Sequence, residues 1–260
     1  MSQGIEYRVE NGVAVLQVNR PSVRNALDWA AQEQFAATVA TVAGDAAVRV
    51  LIVTGAGDRA FVAGGDLKEL SAQPETAAGE RLNRIMSLAL SQLVALPIPV
   101  IAAVNGDAFG GGCEILTACD LRLAAAQARF SFAQVRQGLT TGWGGTGRLV
   151  RLVGQSRAME LLLTARVFDA AEAQRMGVIH RLVPAGEEPL AAAYRWAVEL
   201  KALPRQALAA TKNLVHAAAQ LPAAELNQYE TKLFTRLWSH PDHLEAMAAF
   251  VEKRPPLFRD

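Results

Sequence analysis

The sequence predicts an α/β fold, and three observations carry that expectation. Short continuous runs of β-branched and aliphatic residues, Val48–Thr54 and Val100–Val104, read as strands buried on both faces. Alanine-rich helical stretches alternate with them, which is the grammar of a mainly parallel sheet covered by helices. Hydrophobic residues make up 51% of the chain but aromatic ones only 6%, so its apolar content is alanine and aliphatics suited to close helix packing. At 260 residues there is room for one large domain or two small ones with a sizeable core.

The elements follow in order. Tyr7-Arg8-Val9-Glu10, the pair Asn11-Gly12 and the run Val13–Val18 read as a β-hairpin, because Asn-Gly suits a tight turn. Asp28 opens a helix to about Val42, with Gly44 as its stop. The strand Val48–Thr54 comes next, then a helix over about Thr76–Ala95 ended by Pro97, the strand Val100–Val104, a Gly-rich turn with its helix, and the strand Asp120–Ala125. After about Leu190 the strand signals stop. Four helical stretches follow, punctuated by Pro204, Pro222 and Pro241, each fitting the first turn of a new helix, and the last, His243–Val251, is amphipathic. We expect a core over residues 1–200 and a C-terminal helical region over 201–260, with no Ser/Gly linker to free one from the other.

Composition narrows the function classes. Lys+Arg 26 against Asp+Glu 25 gives a net charge of +1, which leaves no basic excess to grip a nucleic acid. Two cysteines exclude a disulfide scaffold and fit a reduced, cytoplasmic compartment. The first residues lack a basic segment followed by an apolar one, so no secretory signal is expected. The longest apolar stretch, near Leu93–Val104, is broken by Pro97 and Pro99 and is too short for a membrane span. Cys113 and Cys119 lack metal-ligand spacing, and His240 and His243 flank a Pro-Asp turn where surface histidines are the default, so no metal is expected. The stretch around Lys212 and His216 reads as a solvated helix face.

Three glycine clusters carry the chemistry. They are Ala60–Leu67 (AFVAGGDL), Asn105–Glu114 (NGDAFGGGCE) and Gly142–Gly147 (GWGGTG). In the second, three glycines between a strand and a helix allow a close backbone approach to a ligand. The unpaired N–H groups of a helix start suit a developing negative oxygen, with Glu114 one turn away. The same spacing equally suits a close-packed turn with Glu114 as a favourable helix-start charge. The third cluster spells G-x-G-x-x-G, but Arg148–Val153 is too short for a crossover helix and Ser156–Leu163 reads as helix again, so a dinucleotide site is not expected.

Taken together, these segments resemble the crotonase superfamily, the enoyl-CoA hydratase/isomerase family. Arg20-Pro21, Asn25-Ala26-Leu27, the first two glycine clusters, Ala118-Cys119-Asp120-Leu121-Arg122 and Phe250-Val251-Glu252-Lys253-Arg254 carry the likeness, in the family's order over nearly the whole chain. The resemblance implies a crotonase-like spiral of ββα units with a C-terminal helical trimerisation layer, and a homotrimer or a hexamer of two trimers. It implies an acyl-CoA substrate whose thioester carbonyl sits in an oxyanion hole of the Gly65 and Gly111 N–H groups, and coenzyme A held around Arg24, Ala26, Ala63, Asp66, Leu67 and Gly142. Lys253 would reach the coenzyme A of a neighbouring subunit. No separate cofactor is implied, because coenzyme A is part of the substrate.

One position departs from the pattern. Hydratases of the family carry two glutamates; Glu114 fills the first place, and aligning Phe130 and Gly138 puts Gln134 in the second. An amide can hold water or substrate but cannot supply a proton near neutral pH. The resemblance therefore implies an enoyl-CoA hydratase, a lyase of fatty-acid or related acyl-CoA metabolism, in which Glu114 works with Gln134 as a water-orienting partner. The alternatives are a malonyl-type acyl-CoA decarboxylase, with Arg136 holding the carboxylate, and an enoyl-CoA isomerase. Trp143-Gly144-Gly145 and the Thr117–Leu121 run are similar to the ethylmalonyl-CoA decarboxylase branch. A non-enzymatic crotonase-like scaffold ranks below these, since a scaffold has no need of Glu114.

Overall fold

Asn11 and Gly12 take φ values of 48° and 76°. That left-handed pair closes the expected hairpin between β1 (Gly4–Glu10) and β2 (Val13–Asn19), its twist matching that of the strands. The computed structural model describes residues 4–258, so the outermost residues of the two expected regions lie outside the described residues. Asp28 caps α1 (Trp29–Gly44) by accepting the Ala31 N–H at 2.8 Å.

From there the chain winds as a spiral of strand–strand–helix turns. The first turn is β3 (Val50–Gly55), β4 (Ala60–Val62), the short α2 (Leu67–Leu70) and α3 (Thr76–Ala95). The second is β5 (Val100–Val104), β6 (Asp107–Phe109) and α4 (Gly111–Ala118), and the third is β7 (Leu121–Ala125), β8 (Arg129–Ser131) and α5 (Gly145–Thr164). β9 (Phe168–Asp169), α6 (Ala170–Met176), β10 (Arg181–Val183) and α7 (Pro189–Lys201) complete the body. The helices α8 (Arg205–Ala218), α9 (Ala223–Trp238) and α10 (Pro241–Glu252) follow.

Each turn places its first strand in one sheet and its second in another. The larger sheet runs β1-β2-β3-β5-β7-β10 and the smaller β4-β6-β8-β9, with β3, β5 and β7 parallel in one and β4, β6 and β8 parallel in the other. The corner between β5 and β6 is only Asn105-Gly106, and a Cβ on Gly106 would sit 2.5 Å from the Arg59 carbonyl carbon, so glycine is required there. Asn105 and Asn25 are buried and tie this edge together. Asn105 accepts from Gly55 N at 3.1 Å, and the two amides donate to Ala60 O at 3.0 and 2.7 Å.

The larger sheet is covered on both faces, which is why its strands read as unbroken apolar runs. On one face Leu16, Leu51 and Val53 join the main core with Phe35, Leu90 and Leu93 of α1 and α3. On the other, Val13, Val50, Ile52 and Ile101 pack under Ala193, Trp196 and Ala197 of α7.

The long strands and most helices fall close to where the sequence places them, α3 and β5 residue for residue, whereas α2 and α6 carry no such expectation and α5 begins inside the third glycine cluster. The smaller sheet does not announce itself: β4, β6 and β8 are three residues each, and β4 and β6 lie within the segments read as Gly-rich turns. Pro241 stands in the first turn of α10, whereas Pro204 and Pro222 occupy the N-cap positions of α8 and α9. The expectation of a solvated Lys212 is overturned. Its side chain is 9% exposed and its ammonium pairs with Asp120 at 2.7 Å and donates to Ile98 O at 3.0 Å, pinning α8 to the β5 and β7 ends.

Candidate active site

The first glycine cluster is held by the segment that precedes α1. Leu27 forms a parallel bridge with Gly65, donating to Gly64 O at 2.8 Å and accepting from Asp66 N at 2.9 Å. A bridge of this form uses the flanking peptides and turns the N–H of Gly65 itself to the opposite side. Arg20 stabilises the approach by pairing with Asp28 at 2.5 Å and Asp66 at 3.3 Å and donating to Ala26 O.

The second cluster meets the first from the other side. Gly110 adopts φ 53° and ψ −115°, open only to glycine, and turns the chain from β6 into α4. A Cβ built on Gly64 would lie 3.2 Å from Gly111 N, so the two glycine turns are in contact. Among the described residues neither the Gly65 nor the Gly111 N–H donates a hydrogen bond within the chain. Gly111 is the first residue of α4, where unpaired donors sit at the positive end of the helix dipole. The site therefore offers two free N–H groups from two different turns.

Glu114, one turn into α4, is 2% exposed and takes four donors. Oε2 accepts Trp143 N and Gly145 N, each at 2.8 Å; Oε1 accepts Gln134 Nε2 at 2.9 Å and Gly142 N at 3.3 Å. The backbone donors come from the third glycine cluster, at the start of α5, so the carboxylate of one helix caps the N-terminus of another. Oε2 is saturated by two short bonds, and Oε1 has the looser shell. The Gln134 carbonyl oxygen is buried and accepts nothing. Arg148, largely buried, donates to Trp143 O at 2.6 Å and Glu114 O at 3.3 Å; burial lowers its pKa below the ordinary guanidinium value.

The sequence-derived residues divide into three groups. Gly65, Gly111, Glu114 and Gln134 come together around the first turn of α4. Arg24, Ala26, Ala63, Asp66 and Leu67 lie on two adjacent strips, joined by the Ala63 N–H donating to Arg24 O at 3.2 Å; Arg24 has φ 54°, and both it and Leu67 are exposed. Gly142 lies against the carboxylate, and its carbonyl accepts from Asn83 of α3. Lys253 stands apart at the C-terminus of α10, exposed, with φ 54°. Trp143 and Gly145 were missed. The Trp143 ring lies against Gly111, where any Cβ would collide with it, and a Cβ on Gly145 would sit 2.5 Å from Glu114 Cγ. Their signal is the paired glycines ahead of α5, which the sequence offers for nucleotide binding and for likeness to a decarboxylase branch but not as partners of Glu114.

The family model described as enoyl-CoA hydratase/isomerase matches residues 8–260. The chain is 36% identical over 245 residues to the short-chain-enoyl-CoA hydratase of Clostridium acetobutylicum, covering 94% of this chain and 93% of that one. It is 38% identical over 262 residues to the crotonyl-CoA hydratase of Syntrophomonas wolfei, covering 98% of each. The crystal structure of an enoyl-CoA hydratase from Bacillus anthracis superposes with a TM-score of 0.93 at 33% identity, covering 98% of this chain and 99% of that one.

Proposed function

Because the chain belongs to the enoyl-CoA hydratase/isomerase family, we propose that it hydrates a 2-enoyl-CoA thioester, reversibly, through an enolate held by Gly65 and Gly111. The observation that carries this is the placement of the Glu114 carboxylate one helical turn beyond a free Gly111 N–H, with the Gly64-Gly65 turn in contact. The thioester oxygen accepts both N–H groups, and each such donor contributes roughly 3–4 kcal/mol to the transition state in comparable sites. Water gives one hydrogen to Glu114 Oε1 and the other to the Gln134 carbonyl oxygen, which turns its lone pair toward C3. The C3–O bond forms as the double-bond electrons move into the enolate, and Glu114 takes the proton. Glu114 then returns it to C2, so one water is added and the carboxylate is restored.

Coenzyme A, on this reading, lies along Arg24, Ala26, Ala63, Asp66, Leu67 and Gly142. Assembly as a homotrimer, or a hexamer of two trimers, brings Lys253 to a neighbour's coenzyme A; exposed Phe234, Trp238, Phe250 and Val251 on α9 and α10 support association of copies. The chemistry calls on no resident cofactor, nucleic acid or membrane. A cytoplasmic place in fatty-acid or related acyl-CoA metabolism fits the two bacterial relatives. The amide at 134 supports a second reading, decarboxylation of a malonyl-type thioester, where loss of CO₂ makes the enolate and a single proton donor suffices.

Mass spectrometry of enoyl- and malonyl-type CoA thioesters incubated with the protein tests both. Gain of one water by crotonyl-CoA is expected. Loss of CO₂ from a malonyl-type thioester without hydration of crotonyl-CoA would replace the first reading with the second.

A further inference from the structure

Gln32 is wholly buried on the first turns of α1, and its side-chain hydrogen bond goes to neither Glu114 nor Gln134. Its Nε2 donates to Leu27 O at 3.0 Å, and Leu27 O also accepts the Asp66 N–H at 2.9 Å. The amide must face this way, because only the nitrogen can donate to a carbonyl. Its oxygen is buried and accepts nothing. A half-satisfied buried amide is a poor way to fill a core position next to Phe35, since an apolar side chain of similar volume leaves no orphan acceptor. The one bond it makes is therefore the feature to explain.

That bond acts on the residue that sets the Gly65 peptide. Leu27 grips the chain on both sides of Gly65, through Gly64 O and Asp66 N, and so determines where the intervening N–H points. Leu27 O is fixed in turn by Gln32 from a rigid helix whose own Asp28 cap is in place. We propose that Gln32 is a positioning residue for the oxyanion hole, aiming the Gly65 N–H by clamping the Leu27 carbonyl. Small errors of aim matter there, because a displacement near 1 Å can cost about a hundredfold in rate.

This role rests on the enolate-stabilising reading above, and the test separates the two. Acetoacetyl-CoA bound in an oxyanion hole ionises to an enolate with its own near-ultraviolet band, which reports the hole directly and independently of turnover. Gln32→Met removes the donor with little change of volume, and Gln32→Leu serves should the first variant not fold. The enolate band per bound thioester is expected to fall severalfold, and kcat on crotonyl-CoA about tenfold, with KM changed less than about twofold. An unchanged band and kcat with a lowered melting temperature would make Gln32 merely structural and overturn the proposal. Wild-type protein that binds acetoacetyl-CoA without the band would overturn the oxyanion-hole reading, and the role of Gln32 with it.

Discussion

Gln134 Nε2 donates to Glu114 Oε1 at 2.9 Å, while the carbonyl oxygen of the same amide accepts nothing. One side chain therefore both fixes the carboxylate and offers a free acceptor beside it. Replacing that amide by a carboxyl group turns a donor–acceptor contact into two acids in one place, and such a pair retains a proton that neither carboxylate would hold alone. Gln134→Glu is expected to raise crotonyl-CoA hydration at least tenfold, since a positioned general acid contributes about 10²–10⁴. Its rate should acquire a falling alkaline limb as the shared proton is lost. Initial rates of water addition across pH check this, and no gain at any pH would show that a second carboxyl group at this position has no part in the reaction.

Glu114, the base of the proposed hydration, is also an anchor. Gln134 and Gly142 donate to one of its oxygens, Trp143 and Gly145 to the other. Glu114→Gln must turn an NH₂ group toward one of these pairs, which costs about 1–3 kcal/mol of stability. Turnover should fall by about 10³ or more with the base removed. Coenzyme A binding should persist, read as a ligand-dependent rise in melting temperature; saturation at a hundred times Kd stabilises by about 2.7 kcal/mol. Near wild-type turnover would dismiss Glu114 from the reaction.

The legibility of this molecule in its sequence follows the range of the interactions. Gly111 and Glu114 are three residues apart on one helix, so their relation is visible from spacing alone. The partners of Glu114 are not: Trp143 and Gly145 reach it only because α4 and α5 pack together. The Leu27–Gly65 bridge spans two turns of the chain for the same reason. Strands of three residues carry too little periodicity to be seen, whereas the six buried residues of β3 cannot be mistaken. Lys212 shows the limit on charges, because a basic residue reads as solvated until Asp120 is brought beneath it.

That ion pair supports a prediction about stability rather than chemistry. Lys212 and Asp120 are 9% and 18% exposed, and Asp120 also accepts the Val100 N–H at 2.8 Å. Lys212→Met keeps the aliphatic stem but leaves the Asp120 carboxylate with less compensation. The loss is expected to be about 2–3 kcal/mol, in the range of a charge-assisted hydrogen bond whose partner stays buried. A urea titration should show the midpoint falling without a change in m. An unchanged midpoint would mean that α8 is held by its other contacts alone.

His180 contributes to the acid limb of stability. Its Nδ1 accepts the Arg122 N–H at 3.2 Å, which a protonated ring could not do, and its ring meets Trp196 edge-on at 6.1 Å. Burial first, then the charges of Arg122 and Arg181, push its pKa down to about 4 from 6.5. As pH falls below 6.5 the unfolded chain takes up a proton at this position while the folded chain does not. The contribution of His180 to stability is therefore full above pH 6.5, declines through the window between 6.5 and about 4, and levels off below it. NMR titration of the imidazole should give a midpoint near 4, and His180→Gln, which cannot titrate, should flatten that part of the curve. A midpoint near 6.5 would show that the ring gives up its Arg122 contact freely and contributes nothing to acid unfolding.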